Sequence, residues 1–386
     1  MKTKRVALVG VTGYGGVHFH HLRALAEQGA CELAAAAVVN PEHPDAAEPL
    51  AWLRAHDAAV YPSAEALFAA ESGRIDLASL PVGIAAHETL VAAALEACAD
   101  VLVEKPAAGC TAAVDRMIAA ERAAAPRRVH VGFQHVWAPE VRRIREVLTA
   151  GSLGAPRRIV CTGIWPRGDS YYARNSWAAH LAAPDGTPVR DSPANNAFAH
   201  YLNLSLLFAG AHLGASPAEP LSVDGALYRA RPGIETFDTC LVRFATSAGV
   251  PVTIAFSHAA DVVVNPRIRV ECERGAVRWT HEGPWEIVGS GGEVLASGVA
   301  KPPHEEMFRA VIAASGGSPE PAAADCTLAM ARAQVLAIEL LTEHLPVTTI
   351  AHSAFRRDDG QWIIPDVAAV FGRVFESGEL RHPDWT

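Results

Sequence analysis

The chain has 386 residues, half of them hydrophobic and 19% charged, with a formal net charge of -9. That length allows two domains, each burying its own core, and the composition excludes a disordered chain. The acid excess argues against nucleic acid or an anionic membrane as partner, and no run approaches the ~18 consecutive apolar residues of a membrane span.

Residues Met1–Val9 pass from basic residues straight into a short strand, without the apolar stretch of a secretory signal, so a cytoplasmic location is expected. From Arg5 to about His130, β-branched runs alternate with Ala-rich stretches. Strands are predicted at Arg5–Val9, Glu32–Val39, Leu77–Leu80, Val101–Val103 and Val129–Gly132. Helices are predicted at Val17–Gln28, Ala64–Ala70, His87–Ala97 and Thr111–Ala124. Strict alternation implies parallel pairing through right-handed crossovers, hence a doubly wound sheet. The rhythm changes after Gln134. A helix over Pro139–Ala150 and a strand over Arg157–Ile164 precede strands at Leu221–Ala230, Thr239–Ala245, Val250–His258, Arg267–Cys272, Ala276–Thr280 and Glu286–Val288. Gly and Pro turns separate them, as in an antiparallel sheet. Glu305–Ala314 and Ala322–His344 read as helices, and the tail from Leu345 has no clear pattern. The fold expected is an N-terminal Rossmann domain, residues 1–133, followed by an α+β domain with a largely antiparallel open sheet, residues 134–386.

The first strand runs into Gly10-Val11-Thr12-Gly13-Tyr14-Gly15-Gly16 and then a helix. A strand, a Gly-rich turn and a helix N-terminus bring backbone N–H groups and a positive dipole end to one point, as a pyrophosphate requires. Both a GxGxxG register through Gly10, Thr12 and Gly15 and a GxxGxxG register through Gly10, Gly13 and Gly16 fit. The ribose position lies at the carboxyl end of the second strand, where Asn40 stands. An asparagine bonds a ribose hydroxyl without repelling a 2′-phosphate, and no Arg or Lys follows it. NAD and NADP both stay open, with a lean to NAD.

Glu104-Lys105-Pro106 follows Val101–Val103, which places a lysine at the carboxyl end of a parallel strand. There it can stabilise negative charge developing on a substrate oxygen. The run from His87 through Ala94 to Glu104-Lys105-Pro106, the glycine turn followed by His18, and the Gly151-Ser152-Leu153-Gly154 turn resemble the glucose–fructose oxidoreductase/inositol dehydrogenase (Gfo/Idh/MocA) family. The resemblance covers roughly the first 165 residues well and the rest loosely. It implies hydride transfer between NAD(P) and hydroxyls of sugars, cyclitols and related polyols, with Lys105 catalytic and the Lys105–Pro106 bond cis. It implies too that the loop from Pro81 to His87, longer here than usual, lies beside the nicotinamide, and that Glu104 and Lys105 border the cofactor. Thr12 departs from a usual glycine. A homodimer or homotetramer through the exposed sheet face follows by the same analogy.

In Asp191-Ser192-Pro193-Ala194-Asn195-Asn196-Ala197-Phe198-Ala199-His200-Tyr201-Leu202-Asn203, Ser192 is a good N-cap and Pro193 a good first helical residue. A helix from there places Asn196, His200 and Asn203 on one polar face. Family members carry an aspartate four residues before the histidine. Here that position is Asn196, which orients a hydroxyl but relays no proton, and Asp191 lies outside the spacing. His200 is expected to exchange the proton of the carbinol.

Trp165, Tyr172 and Arg174, within an aromatic and arginine-rich stretch, suit a sugar or an acidic group on the substrate as a substrate wall, and an interface loop fits that stretch as well. His258 and Arg267 are weaker candidates. The seven cysteines contain no CxxC pair, and the cluster of His18, His20 and His21 has no acidic or cysteine partner at ligand spacing, so no metal site is expected. The leading function is an NAD(P)-dependent polyol dehydrogenase or ketoreductase. The alternatives are an enzyme that retains its cofactor and oxidises transiently before elimination, epimerisation or glycoside cleavage, and a non-catalytic NAD(P)-binding sensor.

Overall fold

Short apolar runs bounded by turns build a parallel sheet in the computed structural model, which describes residues 3–213, 217–316, 326–381, 383 and 385. The elements in chain order are β1 (Arg5–Val9), α1 (Tyr14–Glu27), β2 (Glu32–Ala37), α2 (Ala47–Ala55), β3 (Ala59–Tyr61), α3 (Ala64–Glu71), β4 (Leu77–Leu80), α4 (His87–Glu96), β5 (Asp100–Val103), α5 (Thr111–Ala123) and β6 (Val129–Val131). The strands pair in the order β3-β2-β1-β4-β5-β6, all parallel. β4 and β5 are buried throughout, which is why they show no regular alternation of apolar and polar residues. The strand order reverses between β1 and β4, so the crevice outside their carboxyl ends is where a ligand fits such a sheet. α2 and β3 escape the sequence reading because β3 is three residues long and at the sheet edge, too short for a periodic signal.

The second sheet is built from α6 (Pro139–Thr149), β7 (Pro156–Ile164), α7 (Asp169–Tyr172), α8 (Ala199–Gly210), β8 (Pro220–Arg229), β9 (Thr239–Thr246), β10 (Val252–Ser257), β11 (Val264–Cys272), β12 (Gly275–Thr280), β13 (Pro284–Gly289) and β14 (Val294–Val299). After these come α9 (His304–Ala314), α10 (Leu328–His344), β15 (Val347–Thr349), the hairpin β16 (Arg356–Asp358) and β17 (Gln361–Ile363), and α11 (Val367–Ser377). Nine strands pair in the order β14-β13-β12-β11-β7-β10-β9-β8-β15, antiparallel except for β7 with β10 and β8 with β15. The predicted helix Ala322–His344 is α10 from Leu328 onward; residues 322–325 lie outside the described residues. Among the described residues no helix is long and apolar enough to cross a membrane.

Two features depart from the sequence reading. The chain forms two compact units, Met1–Trp137 with Pro303–Ala331 and Ala138–Pro302 with Arg332–Thr386, so the expected continuous span 134–386 is interrupted. The reason is α9, whose Phe308 ring meets the rings of His18 and His21 on α1 at 5.0 and 5.4 Å and so belongs with the first sheet. The second departure concerns the open sheet face. On one pleat of β7, Gly163 lies under the Phe198 ring at the start of α8. On the other pleat, Val160 and Ile164 join Val367, Val370, Phe371, Val374 and Phe375 of α11 in one buried cluster with Trp385. The middle of the second face is therefore covered by the chain's own C-terminal helix. That part of the face is not exposed, whereas Leu221, Val294, Leu295 and Val299 on the outer strands of the sheet are. Each large apolar side chain buried there contributes roughly 1.5–3 kcal/mol, which is ample reason for the helix to stay.

Candidate active site

In the first unit, β1 delivers Gly10 with φ +90° and Gly13 with φ +57°, conformations that side-chain-bearing residues rarely adopt. Gly13 precedes α1 as its N-cap residue. A Cβ on Gly15 would stand 2.5 Å from the Gly10 carbonyl oxygen, whereas one on Gly16 would make an ordinary 3.5 Å contact with Val11. The turn thus combines both sequence registers: Gly10 and Gly13 are demanded by backbone conformation, Gly15 by the close approach of helix and strand. Beside it opens a cavity of about 310 Å³, lined by Val11, Thr12, Gly13, Gly16, Arg23 and Glu48 among others. These residues suit a dinucleotide phosphate, since the glycine turn that starts α1 lines the space and a helix N-terminus favours an anion.

Glu104-Lys105-Pro106 leaves β5 at the same edge of the sheet, because β1 pairs in parallel with β4 and β4 with β5. The two turns are joined directly. His18 on α1 places Nε2 3.0 Å from Glu104 Oε1 and Nδ1 2.8 Å from Ser79 Oγ on β4. The other Glu104 oxygen accepts from the Lys105 amide at 3.1 Å. Burial alone would push the Glu104 carboxyl up, but the His18 hydrogen bond and the nearby Lys105 hold it below the ordinary carboxylate range. The Lys105–Pro106 bond is cis.

Not every expected cofactor residue is placed to touch a ligand. The His87 ring is fully buried, with Nδ1 near the carbonyls of Pro106 and Ala107 and Nε2 near that of Val82, so it braces the Pro81 loop against the lysine turn. Burial pushes its pKa down. Glu104 is likewise buried and acts through its neighbours. Asn40 lies three residues beyond the end of β2 rather than at it, exposed in a turn closed by the His43 amide on its carbonyl. Thr12 is half-buried, and Tyr14 is exposed at the first position of α1.

In the second unit, the predicted helix from Ser192 begins instead at Ala199. Ser192 Oγ does accept from the Asn195 amide, at 3.3 Å, but the chain then forms a wide turn in which the Phe198 amide donates to the Pro193 carbonyl at 2.8 Å. The turn lets the Phe198 ring stack on Phe256 at 4.7 Å and on Trp165 at 5.0 Å, in space that Gly163 leaves open. Asn196 therefore sits in the turn, and His200 and Asn203 on the helix. All twelve residues of α8 are buried, so the expected division into a polar and a core face is absent. The Asn203 amide makes no side-chain hydrogen bond among the described residues.

The substrate-wall residues form a stack rather than a file. Arg174 lies 3.9 Å over the Tyr171 ring and Arg231 4.5 Å over Tyr172. Trp165 donates from Nε1 to Asn265 Oδ1 at 3.2 Å. His258 bonds through Nδ1 to the Trp165 carbonyl at 2.7 Å and is pushed down to about 3 by burial and by Arg167, so it stays neutral. Arg267 is not part of this cluster: its guanidinium lies 4.0 Å over Phe375, on the α11 face.

Residues 4–133 match the family described as "Oxidoreductase family, NAD-binding Rossmann fold", and residues 141–278 match the "GFO/IDH/MocA C-terminal domain". The chain belongs to the Gfo/Idh/MocA family. Among its Gfo/Idh/MocA relatives is an inositol 2-dehydrogenase of Pseudomonas fluorescens, 32% identical over 42% of this chain and 48% of that protein. Another is an inositol 2-dehydrogenase/D-chiro-inositol 3-dehydrogenase of Shouchella clausii, 33% identical over 40% of this chain and 43% of its own length. The chain thus spans about half the length of these curated relatives. The UDP-N-acetylglucosamine 3-dehydrogenase GnnA of Acidithiobacillus ferrooxidans has the same fold, with TM-score 0.68, 20% identity and coverage of 89% of this chain and 98% of that one. So does an Agrobacterium radiobacter oxidoreductase solved with NAD+, L-tartaric acid and magnesium, with TM-score 0.66, 15% identity and coverage of 96% and 100%.

Sequence reasoning set aside one residue that the structure ties to Asn196 and Arg174. Asp191 is buried, and its Oδ1 accepts from Asn196 Nδ2 at 2.8 Å. Its Oδ2 accepts from Arg174 Nη2 at 3.0 Å and from the Ala179 amide at 2.6 Å. Helical spacing hid it, since five residues of helix would point Asp191 and Asn196 apart, whereas the turn brings them together.

Proposed function

We propose that this protein is an oxidoreductase that transfers hydride between a nicotinamide cofactor and a carbinol or ketone of a sugar, cyclitol or similar polyol. The observation that carries the reading is the His18–Glu104 hydrogen bond, which ties the glycine turn to the lysine turn at one edge of the parallel sheet. The bound cofactor supplies the hydride acceptor or donor. Gly10, Thr12, Gly13, Tyr14 and Gly15 hold its pyrophosphate, Asn40 serves its ribose, and the loop from Pro81 lies beside its nicotinamide. The Lys105 ammonium stabilises negative charge on the reacting oxygen. His200 takes the hydroxyl proton as the carbinol C–H leaves as hydride, and returns it in the reverse direction. Asn196, Trp165, Tyr172 and Arg174 hold the remaining hydroxyls.

NAD is favoured over NADP. The cavity beside the glycine turn is lined by Arg23, Asp45 and Glu48, and Arg23 is engaged by Glu48 and by Glu27 at 2.8 Å. With one guanidinium shared by Glu27 and Glu48 and Asp45 beside them, the acidic groups outnumber the arginine there, which disfavours a 2′-phosphate. The test is cofactor reduction over a panel of sugars and cyclitols with NAD and with NADP, using the parent protein, Lys105→Ala and His200→Ala. Both variants should lose turnover and keep cofactor binding. Parent-like turnover by both would refute the assigned roles. Turnover without added cofactor would identify transient oxidation, and binding without any turnover a sensor.

A further inference from the structure

The carboxylate that family members carry four residues before the histidine is an amide here, yet a carboxylate stands one hydrogen bond away. Asp191 accepts from the Asn196 side chain, from the Arg174 guanidinium and from the Ala179 amide. A carboxylate only accepts, so the Asn196 atom facing it is the NH2 group, and Oδ1 is turned to the opposite side. The Arg174 guanidinium is fixed as well: Nη2 is on Asp191, Nη1 donates to the Tyr171 carbonyl at 2.8 Å, and its plane lies on the Tyr171 ring. Its positive charge is matched by a buried negative one.

We propose that Asp191 is a positioning and specificity-determining residue, fixing Asn196 with Oδ1 as an acceptor for a substrate hydroxyl and neutralising Arg174 so that the site takes an uncharged polyol. The assignment rests on the functional reading above for Asn196 and Arg174 as substrate contacts. An oriented amide oxygen accepts a hydroxyl proton as the missing aspartate would, without adding a charge. A guanidinium already paired with a buried carboxylate gains little from a substrate carboxylate, because a second anion would repel the first. Arg174 therefore gives an acidic sugar little advantage, although Arg167, over the Trp165 and Tyr171 rings, is a second cation at the wall.

The swapped pair provides the test. Asp191→Asn turns an NH2 group towards Asn196, so the Asn196 amide flips and presents its donor instead. The double variant Asp191→Asn with Asn196→Asp restores an acceptor at 196 with the two groups exchanged. The parent and these variants are assayed with NAD on myo-inositol, D-glucose and D-glucuronate, and their melting is followed by circular dichroism. The parent should prefer the neutral probes. Asp191→Asn should raise the KM for its best neutral probe about tenfold with a smaller change in kcat and an unchanged KM for NAD, and should raise the relative kcat/KM on glucuronate about tenfold. The double variant should recover most of the KM.

A KM for Asp191→Asn within about twofold of the parent, a double variant no better than the single one, or a parent that prefers glucuronate would overturn the proposal. Asn196→Asp alone tests the contact without any substrate. It sets two carboxylates against each other, with Arg174, Tyr171 and Tyr172 as the ionisable groups around them. Its native pair keeps a proton that the unfolded chain releases, so its melting temperature should fall relative to the parent as pH rises above about 4. A pH-independent difference would disprove the contact. If the parent turns over nothing on the full panel, the functional reading fails and the positioning role falls with it, while the melting result still judges the pair.

Discussion

Replacing Glu104 is the most direct way to test how the first unit holds its site together. Its side chain is 6% exposed and that of His18 1%, with the bond between them at 3.0 Å. Glu104→Gln keeps the shape. Its oxygen serves the Lys105 amide, and its NH2 group faces His18, which must then accept at Nε2 and donate from Nδ1 to Ser79. That tautomer is available, so the loss is the difference between charge-assisted and neutral hydrogen bonds, about 1–2 kcal/mol. Glu104→Ala removes the carboxylate and leaves the buried imidazole and the Lys105 amide without it, at a cost of roughly 3–5 kcal/mol and a melting shift of roughly 6–20 °C. The pH dependence has a definite sign. The folded Glu104 carboxyl sits below its unfolded value, so its contribution is complete above about pH 4.3 and is lost as pH falls through the folded value. The Gln variant lacks that acid loss, and its melting temperature should converge on the parent's as the pH drops. Denaturant and thermal melts at neutral and acid pH measure both effects. An Ala variant no worse than the Gln variant, or a gap to the parent that widens on acidification, would refute the reasoning.

Gly15→Ala drives a methyl group to 2.5 Å from the Gly10 carbonyl, and a fluorescence titration with NADH should show affinity reduced at least about tenfold. Glu48→Gln removes one carboxylate from the cavity beside the glycine turn; the ratio of KM for NADP to KM for NAD should fall several-fold, and an unchanged ratio would argue against electrostatic exclusion. Phe371, 2% exposed in the cluster under α11, should cost about 3–5 kcal/mol on truncation to alanine, and light scattering should show new association of the uncovered sheet face. His258→Asn keeps one donor to the Trp165 carbonyl; because the native ring stays neutral to about pH 3, the pH profile of turnover above about pH 5 should be unchanged.

The elements legible from the sequence are those whose signal is local. β1, β4 and α4 begin or end where apolar runs meet glycine, proline or polar turns, and the glycine and Glu-Lys-Pro turns announce themselves by composition. Parallel pairing follows from strand–helix alternation, and it alone puts both turns at one sheet edge. What the sequence left undecided depends on residues far apart in the chain. Glu104 reads as a cofactor neighbour until His18, 86 positions away, claims it. Ser192-Pro193 has every local sign of a helix start, but the helix begins only at Ala199, after a turn that seats Phe198 on Phe256. The same turn brings Asp191 to Asn196. The amphipathic α11 shows an apolar stripe in sequence, yet only the folded sheet decides that this stripe closes the chain's own second face. Local patterns fix which backbone form a segment takes. Burial and long-range hydrogen bonds, which no short window contains, decide which side chains meet.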